Sequence, residues 1–370
     1  MKILQLIYES PDSPYGFGGA GVRAHEIYKR LRDRHDITLL SLKYPNARDG
    51  EIDGLKYVFV GTESRSLTKS VFAYNICASN FIRKNGSNFD VIIENFLPAT
   101  PFFSKFLTKT PVILQVQGIM ERHAFKKYKP LFSIPMYFME NLYPRLYDRF
   151  IFVSPVTQKK VLSMFRRKTV SSYLIPNGIN EELLKITPRD DRYILFMSRI
   201  DIYTKGLDIL IKAFIKISEQ YPDVRLFLAG YEFNSFHDLV SDCPLHIRKR
   251  IEYVGFARNE NRTRLLSGAA LVVLPSRHES HPVSVLEAAA CEKPLIVSDI
   301  PELNFVELEG FGLSFPSGSV DGLAQKLMLL LDNPEKRGIL GKCGRQYAGN
   351  FLWDMIALQF EEALRSVVQK

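Results

Sequence analysis

The sequence predicts an α/β protein made of two Rossmann-like, doubly wound domains, and three observations point there. Strand-like and helix-like stretches alternate along the chain. The strand-like stretches, VIIE and LVVLP among them, are short and apolar throughout, as parallel strands buried on both faces must be. Near mid-chain, Ile175-Pro176-Asn177-Gly178 ends a strand in turn residues and marks a domain boundary. A chain of 370 residues has room for two domains of ordinary size.

In the first domain, 1–175, apolar runs predict strands at 2–7, 37–42, 56–60, 91–94, 112–116, 150–153 and 172–175. Helical patterns fall at 20–34, 69–84 and 157–165. In the second domain, 176–351, strands are expected at 193–197, 224–229, 252–254, 271–274 and 294–297. Helices are expected near 206–220, 260–267, 283–291, 320–332 and 335–349. A last amphipathic helix runs from Phe351 to Gln369, and 352–370 is expected to pack back on the first domain. No internal repeat or low-complexity segment interrupts this order. Ligands of such sheets bind at the carboxyl ends of the strands, so two domains facing a central cleft would hold a donor on one side and an acceptor on the other.

Hydrophobic content of 46% and charged content of 24% are globular values. No apolar run has the length of a bilayer span, and MKILQLIYESPDS has too short an apolar core for a signal peptide. Cys77, Cys243, Cys291 and Cys343 are far apart with no C-x-x-C, so reduced thiols in a cytoplasmic protein are expected. His278 and His281 are the only close histidine pair, and no metal-ligand cluster appears. The net charge of +9 is uneven: residues 1–175 hold 26 Lys and Arg against 14 acids, or +12, and 176–370 hold 23 against 26, or −3. The first half therefore either meets an anionic partner (membrane surface, acidic substrate, nucleic acid) or carries ordinary solvated lysines.

Gly16, Gly18 and Gly21 fall on the G-x-G-x-x-G spacing of a dinucleotide turn. That reading needs glycines directly after the first strand and an acid at the end of the second. Here a long, proline-rich connection intervenes and the second strand ends in Lys43-Tyr44-Pro45, so NAD is rejected. The glycines still open a helix and can bring backbone N–H groups to an anion; a plain loop with a helix cap is the bland alternative.

Three further motifs lie after strands. In YILFMSRIDIYTKGLD (193–208), Arg199 and Lys205 follow a buried strand, and two cations there suit a diphosphate. In SRHESHPVSVLEAAA (276–290), Glu279 precedes a helix that Pro282 suits at its first position, and Glu287 lies inside it. The N–H groups of Val283 and Ser284 would then form an anion site. LIPNGIN (174–180) enters the boundary turn.

Together these residues resemble the retaining glycosyltransferases of family 4, nucleotide-sugar-dependent enzymes of GT-B architecture. The resemblance runs through GVRAHEIYKRL, IPNGI, SRIDIYTKGLDILIKAF, VGFARNENRTRLLSGAALVVLPS, RHESHPVSVLEAAACEKPLIVSDIPEL and FLWDMIALQF. It implies that Arg199 and Lys205 bind the donor diphosphate, Glu287 the ribose hydroxyls and Glu279 the transferred sugar. It implies that Val283 and Ser284 meet sugar and phosphates through their backbone, Gly18 and Gly19 the phosphate, and the loop at Gly255-Phe256 the base. Arg199, Lys205 and Glu279 would be the catalytic group, with His281 in the donor-binding loop and no metal or other cofactor. Catalysis in such enzymes is described as a same-face displacement, in which the departing phosphate oxygen takes the acceptor's proton. Glu279 is then a positioning carboxylate and not a nucleophile. Two residues depart from the family pattern. Gln117-Gly118 stands where His-Gly is common, and glutamine cannot shuttle a proton. His281 stands where an apolar aromatic is common.

Residues 122–149 hold six Lys and Arg, two acids and seven Phe or Tyr. Two readings stand: an interface with an anionic membrane that brings the enzyme to a lipid-linked acceptor, or a helix packed on the first sheet with aromatics inside and lysines in water. On the first, the protein lies peripherally on the inner face of the membrane. The expected partners are a nucleotide-sugar donor (UDP- or GDP-linked) and a glycan or lipid-linked acceptor, in polysaccharide or glycoconjugate biosynthesis. A sugar-nucleotide epimerase, a non-catalytic family member and a basic anionic-polymer-binding protein are the alternatives, and no nucleic-acid-binding signature appears.

Overall fold

The structure, a computed structural model, describes residues 1–64, 66–99, 101–165, 170–232, 235–241 and 243–369. Residue 370, in the expected last helix, lies outside the described residues. The chain divides into two compact units, Met1–Asn177 with Trp353–Lys370, and Gly178–Leu352.

In the first unit the strands are β1 (Lys2–Leu6), β2 (Asp36–Leu42), β3 (Gly50–Ile52), β4 (Leu55–Val60), β5 (Val91–Asn95), β6 (Val112–Val116), β7 (Arg149–Phe152) and β8 (Ser171–Leu174). They form one sheet in the order β3-β4-β2-β1-β5-β6-β7-β8. The pairings are parallel except between β3 and β4. Helix α1 (Gly19–Leu31) follows β1, α2 (Leu67–Asn85) follows β4, α3 (His123–Lys127) and α4 (Pro130–Leu142) follow β6, and α5 (Pro155–Leu162) follows β7.

Strand β3 is absent from the sequence-based expectation. It pairs with β4 across Asp53 and Gly54, both at positive φ (51° and 74°), as the tightest hairpin turns require. Asp-Gly is the strongest short hairpin signal, so this strand was readable; the exposed β3 simply lacks an apolar run.

The second unit holds β9 (Tyr193–Met197), β10 (Arg225–Ala229), β11 (Ile251–Gly255), β12 (Leu271–Leu274), β13 (Leu295–Ser298) and β14 (Gly312–Phe315). Their order is β11-β10-β9-β12-β13-β14, and the pairings are parallel. Its helices are α6 (Leu207–Ile217), α7 (His237–Ser241), α8 (Leu245–Arg248), α9 (Asn259–Gly268), α10 (Val283–Ala290), α11 (Phe305–Leu308), α12 (Val320–Leu331) and α13 (Pro334–Ala348). Edge strand β14 is a second addition; four residues, two of them only half-buried, leave no run to read. Helix α6 shows why the pattern works elsewhere. Leu207, Leu210, Ile211, Phe214 and Ile217 recur at helical spacing and are all buried in the core beneath β9 and β10.

The last helix, α14 (Trp353–Val368), belongs to the first unit, where the Phe360 ring meets Tyr28 of α1 edge-on at 5.7 Å. Glu361 of α14 accepts from Arg34 at 2.7 Å and lies 2.9 Å from His35 Nε2. Arg23 of α1, fully buried, donates to Pro176 O and Asn177 Oδ1 and so fixes the end of this unit; burial lowers its guanidinium to about 9.

Each sheet starts in the middle and grows outward in both directions. Chain order therefore reverses between β1 and β5 in the first unit, and between β9 and β12 in the second. Loops leaving the carboxyl ends of two such strands diverge and open the crevice in which α/β sheets bind ligands.

Candidate functional site

The loops after β9 and β12 flank that crevice of the second unit and touch at its base, at Gly206 and Pro275. Gly206 sits at φ +67° between the β9 loop and α6, and a Cβ there would lie 1.9 Å from Pro275 O. Only glycine lets the two loops approach so closely. Arg277 reinforces the junction. Its guanidinium makes paired bonds of 2.8 and 2.7 Å to Asp208, its Nη1 donates to Tyr203 O at 3.0 Å, and its N–H donates to Thr204 O at 2.9 Å.

This junction brings together Arg199, Lys205 and Glu279. Lys205 Nζ donates to Glu279 Oε1 at 2.6 Å, and Ser276 Oγ donates to the same oxygen at 2.7 Å. Glu279 is buried, while Arg199 is exposed over nearly half of its side chain. Asp201, buried, organises the loop: Oδ1 accepts Thr204 N–H at 2.9 Å, Oδ2 lies 3.2 Å from Arg199 Nη2, and its carbonyl accepts Lys205 N–H at 3.1 Å. The Asp201 carboxylate thus orients Arg199, while its backbone carbonyl fixes the main chain at Lys205. Asp201, Ser276 and Arg277 were missed in the sequence, although an Asp three residues before Thr204 is a turn signal.

Helix α10 points its amino end into the same loops. Pro282 is the residue before the first helical position and not that position itself; Val283 is the first, because Pro282 keeps an extended ψ of 120°. The N–H groups of Val283 and Ser284 have no acceptor within the helix, which makes this end favourable to negative charge. One turn further in, buried Glu287 accepts from Arg262 Nη2 of α9, a partner the sequence did not reveal. The His281 ring lies 5.9 Å from Phe305, nearly parallel, and 6.1 Å from Phe351. After β10 and β11, the exposed Phe256 ring stacks on Tyr231 at 4.2 Å with the Arg258 guanidinium 5.2 Å from its centre, a flat apolar platform with a cation at its edge.

In the first unit, Gly18 caps α1 and Gly19 opens it. The anion at this helix end is the carboxylate of Glu9, which accepts Gly18 N–H at 3.0 Å and Gly21 N–H at 2.6 Å. A Cβ on Gly21 would lie 2.6 Å from that carboxylate, whereas one on Gly19 would meet open space. Gln117 lies half-buried just past the carboxyl end of β6. Among the described residues no group of three His, Cys, Asp or Glu is placed to hold a metal. No helix of the described residues is long and apolar enough to cross a membrane.

The aromatics of 122–149 differ in their surroundings. Tyr143 and Tyr147 are buried against β5, where both phenols donate to the buried Glu94, Tyr147 to Oε2 at 2.7 Å. Phe125, Phe132 and Phe138 are exposed, so the packed-helix reading fails for them.

A two-unit α/β protein with a cation-lined crevice, an open helix end and a stacking platform is of the class that handles nucleotide-linked substrates. Residues 180–347 match the model of the glycosyl transferases group 1, and 17–183 match that of glycosyltransferase family 4. The chain belongs to this glycosyltransferase family and is an enzyme of GT-B fold. It is 24% identical over 360 residues to an uncharacterized glycosyltransferase of Methanocaldococcus jannaschii, covering 96% of each chain. It is 23% identical over 388 residues to the glycogen synthase of Mycobacterium tuberculosis, covering 96% of this chain and 92% of that one. Among solved structures, sucrose-phosphate synthase from Thermosynechococcus elongatus shares its fold with a TM-score of 0.79 at 20% identity, over 99% of this chain and 98% of that one. HepE of Anabaena, solved with UDP and glucose, gives a TM-score of 0.78 at 19% identity, over 99% and 100%.

Proposed function

We propose that the protein transfers a hexosyl group from a UDP- or GDP-linked donor to a glycan or lipid-linked acceptor, with retention of configuration and without metal. The observation that carries this reading is the gathering of Arg199, Lys205 and Glu279 at the crevice between β9 and β12, in front of the open end of α10. In the resting site Lys205 and Arg199 are held by the acids Glu279 and Asp201. A diphosphate would take over part of that pairing, with a fork from Arg199 and a point charge from Lys205. As the glycosidic bond breaks, charge grows on the departing phosphate; these cations and the N–H groups of Val283 and Ser284 stabilise it without reorganising. Glu279 orients the transferred sugar, Glu287 takes the ribose hydroxyls, His281 lines the donor loop and the Phe256 platform takes the base. The solved complexes of HepE with UDP and UDP-glucose support a donor of this kind on this fold. In the first unit, the turn at Gly18 and Gly19 takes a phosphate in competition with Glu9, and Gln117 contacts the acceptor or the sugar.

The acceptor side meets an anionic membrane through 122–149. Around α4, Leu131, Ile134, Pro135, Phe138 and Leu142 form one outward stripe, with Leu131 at 78% exposure, and the helix carries no exposed charge. Lys126, Lys127 and Lys129 lie just before it. Incubation with a panel of nucleotide sugars, read as donor-dependent release of nucleoside diphosphate, tests the transferase reading. Release from none of the UDP- or GDP-linked sugars would reject it.

A further inference from the structure

Helix α4 has one charged residue, Glu140, and it faces inward, opposite the apolar stripe. Its two carboxylate oxygens accept the N–H groups of Met120 and Glu121, each at 2.7 Å. These amides belong to the turn that leaves β6 directly after Gln117 and Gly118. The turn is a demanding one. Glu121 adopts φ +49°, a left-handed conformation that is unfavourable for a non-glycine residue. The side chain of Glu121 pairs with Lys160 of α5 at 3.0 Å, and Met120 O and Glu121 O accept the N–H groups of His123 and Ala124 at the start of α3. The strained turn is therefore held by two hydrogen bonds to the carboxyl group of a helix whose other face is apolar and open. The far end of that helix is fixed as well, through Tyr143 and Tyr147 on Glu94, which also accepts Ser104 N–H at 3.2 Å.

We propose that Glu140 is a positioning residue that couples the seating of α4 on an anionic bilayer to the geometry of the 117–121 acceptor turn. The inference rests on the membrane reading given above and adds what docking does. A bilayer that immobilises α4 immobilises the two carboxylate oxygens, and these hold the backbone of the turn. An acceptor arriving in the membrane plane then meets Gln117 in a fixed place.

The test is amide hydrogen exchange of the full chain over 117–122, alone and with vesicles of mixed phosphatidylglycerol and phosphatidylcholine, beside co-sedimentation with the same vesicles. In the wild type, vesicles should slow exchange at Met120 and Glu121 by about tenfold or more, the effect of firming one hydrogen bond. Glu140→Gln keeps the shape but leaves one N–H without its acceptor. It should co-sediment as the wild type does, exchange faster at the turn, and show no slowing by vesicles. First-unit peptides from β1, β2 and α14, unchanged, would show that the variant's first unit is folded. Leu131→Asp with Phe138→Asp should lose both vesicle binding and the vesicle-dependent slowing. Vesicle binding by the wild type without slower exchange at 120–121, or slowing that survives in Glu140→Gln, would overturn the coupling and leave docking intact. No binding of the wild type to anionic vesicles would overturn docking and coupling together, with the donor site untouched.

Discussion

Both sheets grow outward from a central pair of strands, yet the two crevices are equipped differently. In the second unit cations are paired with acids, Lys205 with Glu279 across the crevice and Arg199 with Asp201 within the loop after β9, and on the proposed function an incoming diphosphate reorganises both pairs. In the first unit three buried acids are committed to the protein itself. Glu9 holds the amides of α1, Glu94 two phenols, and Glu140 the turn after β6, while part of the outer surface is left apolar. A buried acid that faces a cation makes a pair that a ligand can contest, whereas one that faces backbone amides or phenols fixes the fold.

Breaking the second unit's pairs should have the largest effect. Arg199→Ala and Lys205→Ala should each cost about 2.7–4 kcal/mol of transition-state stabilisation, or ~100- to 1000-fold in turnover, as for other donors aimed at a developing anion. Steady-state nucleoside diphosphate release reads this, and near-normal turnover in both variants would remove the cations from the mechanism. Glu287→Ala comes next. Losing charged hydrogen bonds to the ribose should weaken donor binding by about 1.5–3 kcal/mol, read by donor titration, with a smaller effect on the chemical step.

In the first unit the corresponding loss should be of stability. Glu94→Ala leaves Ser104 N–H and one of the two phenols, Tyr143 or Tyr147, without an acceptor, at a cost of about 1–3 kcal/mol. The chain's only tryptophan, Trp353, is buried in this unit, so its fluorescence during urea unfolding reports the change. The smallest effect is on pH dependence. Burial pushes the Glu140 carboxyl up to about 7, so between the ordinary glutamate range and pH 7 the folded chain holds a proton that the unfolded chain has lost. Its contribution to stability therefore falls as pH rises through that window. His25 and His35, held below their ordinary value by burial, give the opposite slope, so the comparison is wild type minus Glu140→Gln. A difference independent of pH from 4.5 to 7 would show that Glu140 is an ordinary carboxylate.

Much of this was legible in the sequence, for a physical reason. Parallel strands buried on both faces are written as continuous apolar runs, and the β9 and β12 loops carry their chemistry within a few residues of such runs. Periodicity does not reveal groups defined by a partner distant in sequence. Arg262 meets Glu287 from another helix, Glu140 reaches back to Met120, and Glu9 fills the end of α1. The glycine spacing suggested an anion site, but spacing could not show that the chain supplies its own anion. The exposed stripe of α4 looks in sequence like any buried helix, because the pattern records apolar residues and not what covers them.

The central claim is that the second unit's crevice is built for a diphosphate, and calorimetric titration of nucleoside diphosphates and monophosphates tests it most directly. UDP or GDP should bind at least about tenfold more tightly than the matching monophosphate, and that preference should vanish in Arg199→Ala and Lys205→Ala. Equal affinity for diphosphate and monophosphate in the wild type, or an undiminished preference in both variants, would contradict the account.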